Sequence, residues 1–157
     1  MTTLDLARSY LKKARSRLKL LPILLEDGDY SDVVREAQEI VELALKGMLR
    51  HQGIEPPKWH DVGDMLLAHA GRFPSGTVDM LSQLAEVSKW LRKERELAFY
   101  GDIDFIPSEE YERGDAERAI SDAKLVFDAA ARLIASSNDG CEGTKITPPH
   151  ATGRNEE

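Results

Sequence analysis

The stretch SDVVREAQEIVELALKGMLR, residues 31–50, decides the fold. Val34, Ala37, Val41, Ala44 and Met48 recur at intervals of three and four, the spacing that returns side chains to one helical face. Ile40 and Leu45 widen that face, so a helix built on it meets neighbours on two sides. Ser31 is the expected cap and Arg50 the approximate end. Glu42 precedes Lys46 by four residues, the favourable order for a surface ion pair worth about 0.2–0.5 kcal/mol.

Upstream, Ala7, Leu11, Ala14, Leu18, Leu21 and Leu25 predict a first helix from about Leu4 to Leu25. Thr3 is its expected cap, Asp5 suits the first turn, and Pro22 predicts a kink or an early stop. Glu26-Asp27-Gly28-Asp29 supplies the turn into residues 31–50. Downstream, Gly53, Pro56 and Pro57 mark a rigid connector, and Val62, Met65, Leu66 and His69 predict a short third helix over Asp61–Ala70. Gly71 and Pro74 end it. A long fourth helix is expected from Thr77 to a stop at Gly101, with Val78, Leu81, Leu84, Ala85, Leu91 and Ala98 on a nearly heptad seam. Ser88 and Arg95 fall on that seam and Val87 beside it.

Ile103, Phe105 and Ile106 are expected to pack back from the connector beyond Gly101. Glu109 to Arg113 reads as a separate turn, because Gly114 interrupts the next pattern. Ala116, Ala119, Ile120, Ala123, Phe127, Ala130 and Ile134 then predict a fifth helix over Asp115–Ala135. Residues 136–157 are rich in Ser, Asn, Asp, Gly, Thr and Pro, and are expected to form a mobile tail. No segment alternates as a strand would. The expected fold is all-α: an up-and-down bundle of about five helices over residues 1–135.

The chain has 157 residues and one cysteine, Cys141. An intramolecular disulfide is therefore impossible, which points to a reducing compartment. The N-terminus lacks the basic and then apolar run of a signal peptide. The run from Leu20 to Leu25 contains Pro22 and is too short to span a bilayer, so a cytoplasmic protein without membrane contact is expected. The net charge is −7, yet residues 1–25 carry six Lys or Arg against one acid. Arg8, Lys12, Arg15 and Lys19 form one stripe, readable either as a solvated face or as a contact face for nucleic acid.

Residues 31–46 resemble the second helix of HEPN domains. His60-Asp61-Val62-Gly63 is similar to the His-Asp step that opens their next helix. Arg95-Glu96-Leu97-Ala98-Phe99-Tyr100-Gly101-Asp102 resembles the end of their long fourth helix, and Pro107-Ser108, Tyr111 and Asp115-Ala116 resemble the segment after that helix. The similarity spans about residues 4–135. It implies a bundle that commonly forms homodimers and is often encoded beside a minimal nucleotidyltransferase, in pairs of the toxin–antitoxin type. Many members are metal-independent ribonucleases with an Arg-x4–6-His motif, two subunits placing their motifs around one basic cleft. In some pairs the nucleotidyltransferase adenylylates a tyrosine near that motif.

In this chain Tyr100 follows Arg95 after four intervening residues, where the motif has histidine. A metal-free ribonuclease needs a group titrating near 7 to take the 2′-hydroxyl proton. Tyrosine ordinarily titrates near 10, so the substitution bears on cleavage more than on binding. The resemblance makes Arg95, Tyr100 and His60 the catalytic candidates and Tyr100 the modification site. Arg92, Asp102, Glu39, Glu42 and Lys46 become candidates for binding RNA or nucleotide.

Each also has a plainer reading. Arg92 and Arg95 are either solvated charge or a bidentate phosphate clamp. Tyr100, Gly101 and Asp102 are either a helix stop or the site's aromatic hydroxyl and its orienting carboxylate. His60 either satisfies the backbone at a helix start or carries a proton, and Glu39, Glu42 and Lys46 form either a paired surface or a cleft lining. The four histidines are scattered without metal-ligand spacing, and neither a phosphate-binding glycine loop nor a nucleophile elbow occurs, so no metal or cofactor is expected. The competing function is a non-enzymatic dimerisation module, built on the near-heptad seam and the broad face of residues 31–50.

Overall fold

The computed structural model describes residues 1–58, 61–100 and 111–136, with side chains only through Glu94 in the helix that ends at Tyr100. These residues form α1 (Thr3–Leu18), α2 (Leu21–Glu26), α3 (Tyr30–His51), α4 (Val62–Ala68), a 3₁₀ turn (Ala70–Arg72), α5 (Ser75–Tyr100) and α6 (Arg113–Ala135). No strand occurs among them. The expected all-α up-and-down bundle is what the chain forms.

Helix α3 is the centre, packing against α1, α2, α4, α5 and α6. Its seven inner-face residues, Val34, Ala37, Ile40, Val41, Ala44, Leu45 and Met48, are all buried. Gly47 makes the closest approach possible: a Cβ there would lie 3.4 Å from the Ala7 carbonyl oxygen and 3.6 Å from Ile134 Cδ1. Those two contacts place the C-terminal half of α3 beside the start of α1 and the end of α6. At the other end, Glu117 and then Tyr30 hydrogen-bond the Arg113 guanidinium and raise its pKa, so α3 and α6 begin together. Trp90 of α5 stacks under the Arg118 guanidinium at 4.1 Å, and Thr77 and Met80 share a cavity with Ala129 and Arg132, so α5 runs antiparallel to α6.

Several boundaries differ from the sequence reading. The first helix divides at Lys19 and Leu20, because Pro22 has no N–H to continue the ladder; α2 resumes with Pro22 in its first turn. Thr2, not Thr3, caps α1, in a capping box with Asp5. Asp29 rather than Ser31 precedes α3, without a side-chain cap bond. Helix α5 starts at Ser75 instead of Thr77, and α6 at Arg113, so Gly114 lies in its first turn rather than breaking it. Glu112 caps that turn in a box with Asp115. The short third helix ends at Ala68, Asp61 capping it through the Gly63 amide at 2.9 Å. Ile103, Phe105, Ile106 and the proposed tail after Ser136 lie outside the described residues.

Helix α4 lies flush on α5 at Gly63, where an added Cβ would come within 3.0 Å of Ala85 Cα and 3.2 Å of its carbonyl oxygen. Backbone atoms cannot rotate away as a side-chain tip can. Gly63→Val is therefore expected to lose about 1–3 kcal/mol by forcing the helices apart. Gly76→Ala, in open space within the first turn of α5, should be neutral or slightly stabilising. Urea unfolding of both variants checks the contrast; equal stabilities would mean that α4 is not seated on Ala85.

Candidate functional site at the end of α5

Two contacts carry sequence-distant segments to the second half of α5. The first is Asp61, whose Oδ1 accepts from the Gly63 amide at 2.9 Å and from Ser88 Oγ at 3.4 Å. Ser88 is buried, so its hydroxyl needs a partner and finds it in the cap of α4. The second is Tyr111, also buried, whose hydroxyl lies 2.9 Å from the Glu94 carbonyl oxygen and 3.2 Å from its carboxylate. Asp61 and the segment entering α6 are thus both fixed to the helix that carries Arg92 and Arg95.

Helical register then separates the candidates. Arg95 comes after Leu84, Ser88 and Leu91 at intervals of four, three and four, all three buried. Its backbone position therefore continues the inward stripe of α5. Arg92 comes one turn after Ser88 and is half-buried. Tyr100 is in line with Lys89 and Lys93, both exposed. At 100° per residue its position stands about 140° around the axis from that of Arg95. Within one regular helix the two motif positions face different sides. The side chains of Arg95 and Tyr100, and the whole of His60 and Asp102, lie outside the described residues.

Helix α3 contributes a polar row along its half-buried side. Arg35 pairs with Asp32 at 3.2 Å. Gln38 Nε2 donates to Glu42 Oε2 at 2.9 Å, and Glu42 Oε1 meets Lys46 Nζ at 2.7 Å, so both Glu42 oxygens are engaged. Gln38 is 6% exposed, a buried amide on an otherwise apolar helix interior. Glu39 is half-buried on the same side, and it and Arg92 each have a neighbouring partner group. The expected Glu42–Lys46 pair thus forms, not on an open surface but half-shielded, where a charged hydrogen bond is stronger than in water. The row starts at the end where α3 and α6 begin together, which is also where Tyr111 joins α5.

The described histidines stand elsewhere. His51 closes α3 at its far end; burial lowers its pKa, and the Gln52 side-chain amide lies 3.0 Å from its Nδ1. His69 comes directly after α4, its Nδ1 3.0 Å from the Met65 carbonyl oxygen. A cavity of about 230 Å³, lined by Pro74, Thr77, Met80, Ala129, Arg132 and Leu133, opens at the N-terminal end of α5. It is about 27 Å along the helix from Arg95, so it belongs to a different part of the molecule. Among the described residues, no three His, Cys, Asp or Glu side chains are grouped to hold a metal ion, and no helix is long and apolar enough to cross a membrane.

Sequence reasoning missed the parts played by Gln38, Ser88, Gly63 and Tyr111. Signals for three of them were present: a polar residue on each of two apolar faces, and a glycine inside a helix.

Comparison with family models finds the model described as HEPN domain over residues 7–133. Comparison with curated proteins and with solved structures found no significant match.

Removing the Tyr111 hydroxyl should loosen the end of α5 without touching the core. Tyr111→Phe is expected to cost about 0.5–1.5 kcal/mol and to speed amide exchange in the last turns of α5, measured by hydrogen–deuterium exchange. Unchanged exchange there would show that the hydroxyl holds nothing in place.

Proposed function

The chain belongs to the HEPN domain family, and from that premise we propose that it binds RNA or a nucleotide where α5 ends. In this reading it acts with a minimal nucleotidyltransferase partner in a toxin–antitoxin-like pair. The observation that carries the proposal is the pair of attachments on α5, Asp61 to Ser88 and Tyr111 to Glu94. They attach the cap of α4 and the segment entering α6 to the second half of α5, the helix that carries Arg92 and Arg95. Guanidinium groups held there would bind phosphate oxygens through paired N–H donors, with Glu39, Glu42 and Lys46 keeping their orientation and balancing the charge.

Binding asks only for positioned cations. Cleavage asks in addition for proton transfer: the ribose 2′-hydroxyl attacks the adjacent phosphorus, the bond to the 5′-oxygen breaks, and a 2′,3′-cyclic phosphate remains. One group removes the 2′ proton and another protonates the leaving oxygen. We assign this work to Tyr100 and His60, with Arg95 stabilising the charge that builds on the phosphoryl oxygens and Asp102 orienting its neighbours. The register of Arg95 and Tyr100 favours a site completed by a second subunit, since their positions diverge within one helix. It also favours modification of Tyr100, whose position lies in line with exposed lysines. There its phenol oxygen would attack the α-phosphorus of ATP, release pyrophosphate and lose its proton.

The alternative, a non-enzymatic dimerisation module, loses much of its motive in this fold. The seam of Leu81, Leu84, Ser88 and Leu91 is buried within the chain, and so is the broad face of α3.

Fluorescence anisotropy with a structured RNA in chelator tests the binding claim. Arg95→Ala is expected to weaken binding about tenfold or more, equivalent to about 1.4 kcal/mol; affinity unchanged by it, or no binding by the wild type, would end the proposal. Products on a denaturing gel that disappear with Arg95→Ala would add cleavage. For Tyr100, intact mass after incubation with the cognate nucleotidyltransferase and ATP should rise by whole AMP units. An unchanged mass, or a gain that survives Tyr100→Phe, refutes the modification.

A further inference from the structure

Helix α1 spends its apolar side on the core, burying Ala7, Leu11 and Ala14, and shows solvent a row of cations. Lys12, Lys13, Arg15 and Lys19 are all exposed. Arg17, at the edge of the row, pairs with Glu36 at 2.9 Å, and Arg15 lies over the Phe127 ring at 5.8 Å. Lys12, Lys13 and Lys19 meet no acid among the described residues. The row ends in an apolar tip where Pro22 breaks the helix: Leu20 is 44% exposed and Ile23 59%. Because the backbone at Lys19 and Leu20 stays close to helical, with the Leu24 amide bonded to the Leu20 carbonyl at 3.1 Å, the tip continues the line of the cations.

We propose that this face of α1 and α2 docks an acidic amphipathic helix of another protein, its carboxylates along Lys12, Arg15 and Lys19 and its apolar side chains over Leu20 and Ile23. The argument is charge complementarity joined to an apolar anchor. From Lys12 to Ile23 the face runs about 16 Å, or three turns of a partner helix. Exposed ion pairs alone bind weakly, whereas a desolvated aliphatic anchor beside them supplies both affinity and register. Polynucleotide suits the cations but gains nothing from Leu20 and Ile23. A bilayer surface would need a broad apolar side, and that of α1 is already enclosed. A second copy presenting the same face is disfavoured by like charge. The proposal is independent of the site at the far end of α5.

The test uses a synthetic alanine-based helical peptide of about sixteen residues, with glutamates on one stripe and two leucines beyond them. Anisotropy at low salt should give micromolar affinity that falls as salt rises. Ile23→Asp, and separately the double change Lys12→Glu with Lys19→Glu, should each weaken binding about tenfold or more, and Ile23→Ser several-fold. These positions are exposed, so melting temperatures should be unchanged. Absence of binding, or affinity indifferent to both sets of changes, overturns the proposal. So does a result in which a polyuridine oligonucleotide or phosphatidylserine vesicles bind through these residues and the peptide does not.

Discussion

Every other element answers to the need of α3 to be enclosed. A helix with apolar side chains over so much of its circumference cannot rest on one neighbour, and burial is the dominant favourable term in a chain of this size. Helices α1, α5 and α6 each take one side, and the small residues Ala37, Ala44 and Gly47 let them come close. The least enclosed side of α3 carries its polar row, half-buried apart from the buried Gln38. Glu39, Glu42 and Lys46 lie on that strip because it is where side chains of the central helix can be charged without a prohibitive desolvation cost.

The periodic part of this architecture was legible in the residues. The stripes of α3 and α6 are buried as their spacing required, and Asp61 caps α4 as its place before an apolar run implied. Boundaries were less legible because capping is a contest among adjacent polar residues. Thr2 and Thr3 both offer a hydroxyl, and only Thr2 has Asp5 at the reciprocal spacing of the capping box. Gly114 was misread for a related reason: a glycine in a first turn costs little when a box on either side of it fixes the backbone.

The candidate site was legible as a list but not as a geometry. Sequence spacing put Arg95 on the seam of α5, yet nothing in it said that Ser88 on that seam is tied to Asp61. Tertiary packing alone brings those two together. Likewise, a reading of residues 31–46 finds the Glu42–Lys46 pair from its spacing, whereas the buried Gln38 that holds the other Glu42 oxygen is visible only once the neighbours of α3 are in place. Charge shows the same division. The basic bias of the first 25 residues is plain in the sequence, but its apolar tip depends on how Pro22 turns Leu20 and Ile23 outward.

The bond from Tyr111 to Glu94 has a consequence for how such chains can vary. It fastens the segment entering α6 to α5 six residues before that helix ends, so the pairing of the two helices does not depend on the length of the chain between them. Extending a flexible connection between clamped ends costs, in general, only about 0.6 kcal/mol per doubling. Descendants of this gene could therefore lengthen, shorten or rewrite that intervening stretch while the scaffold beneath stays as it is.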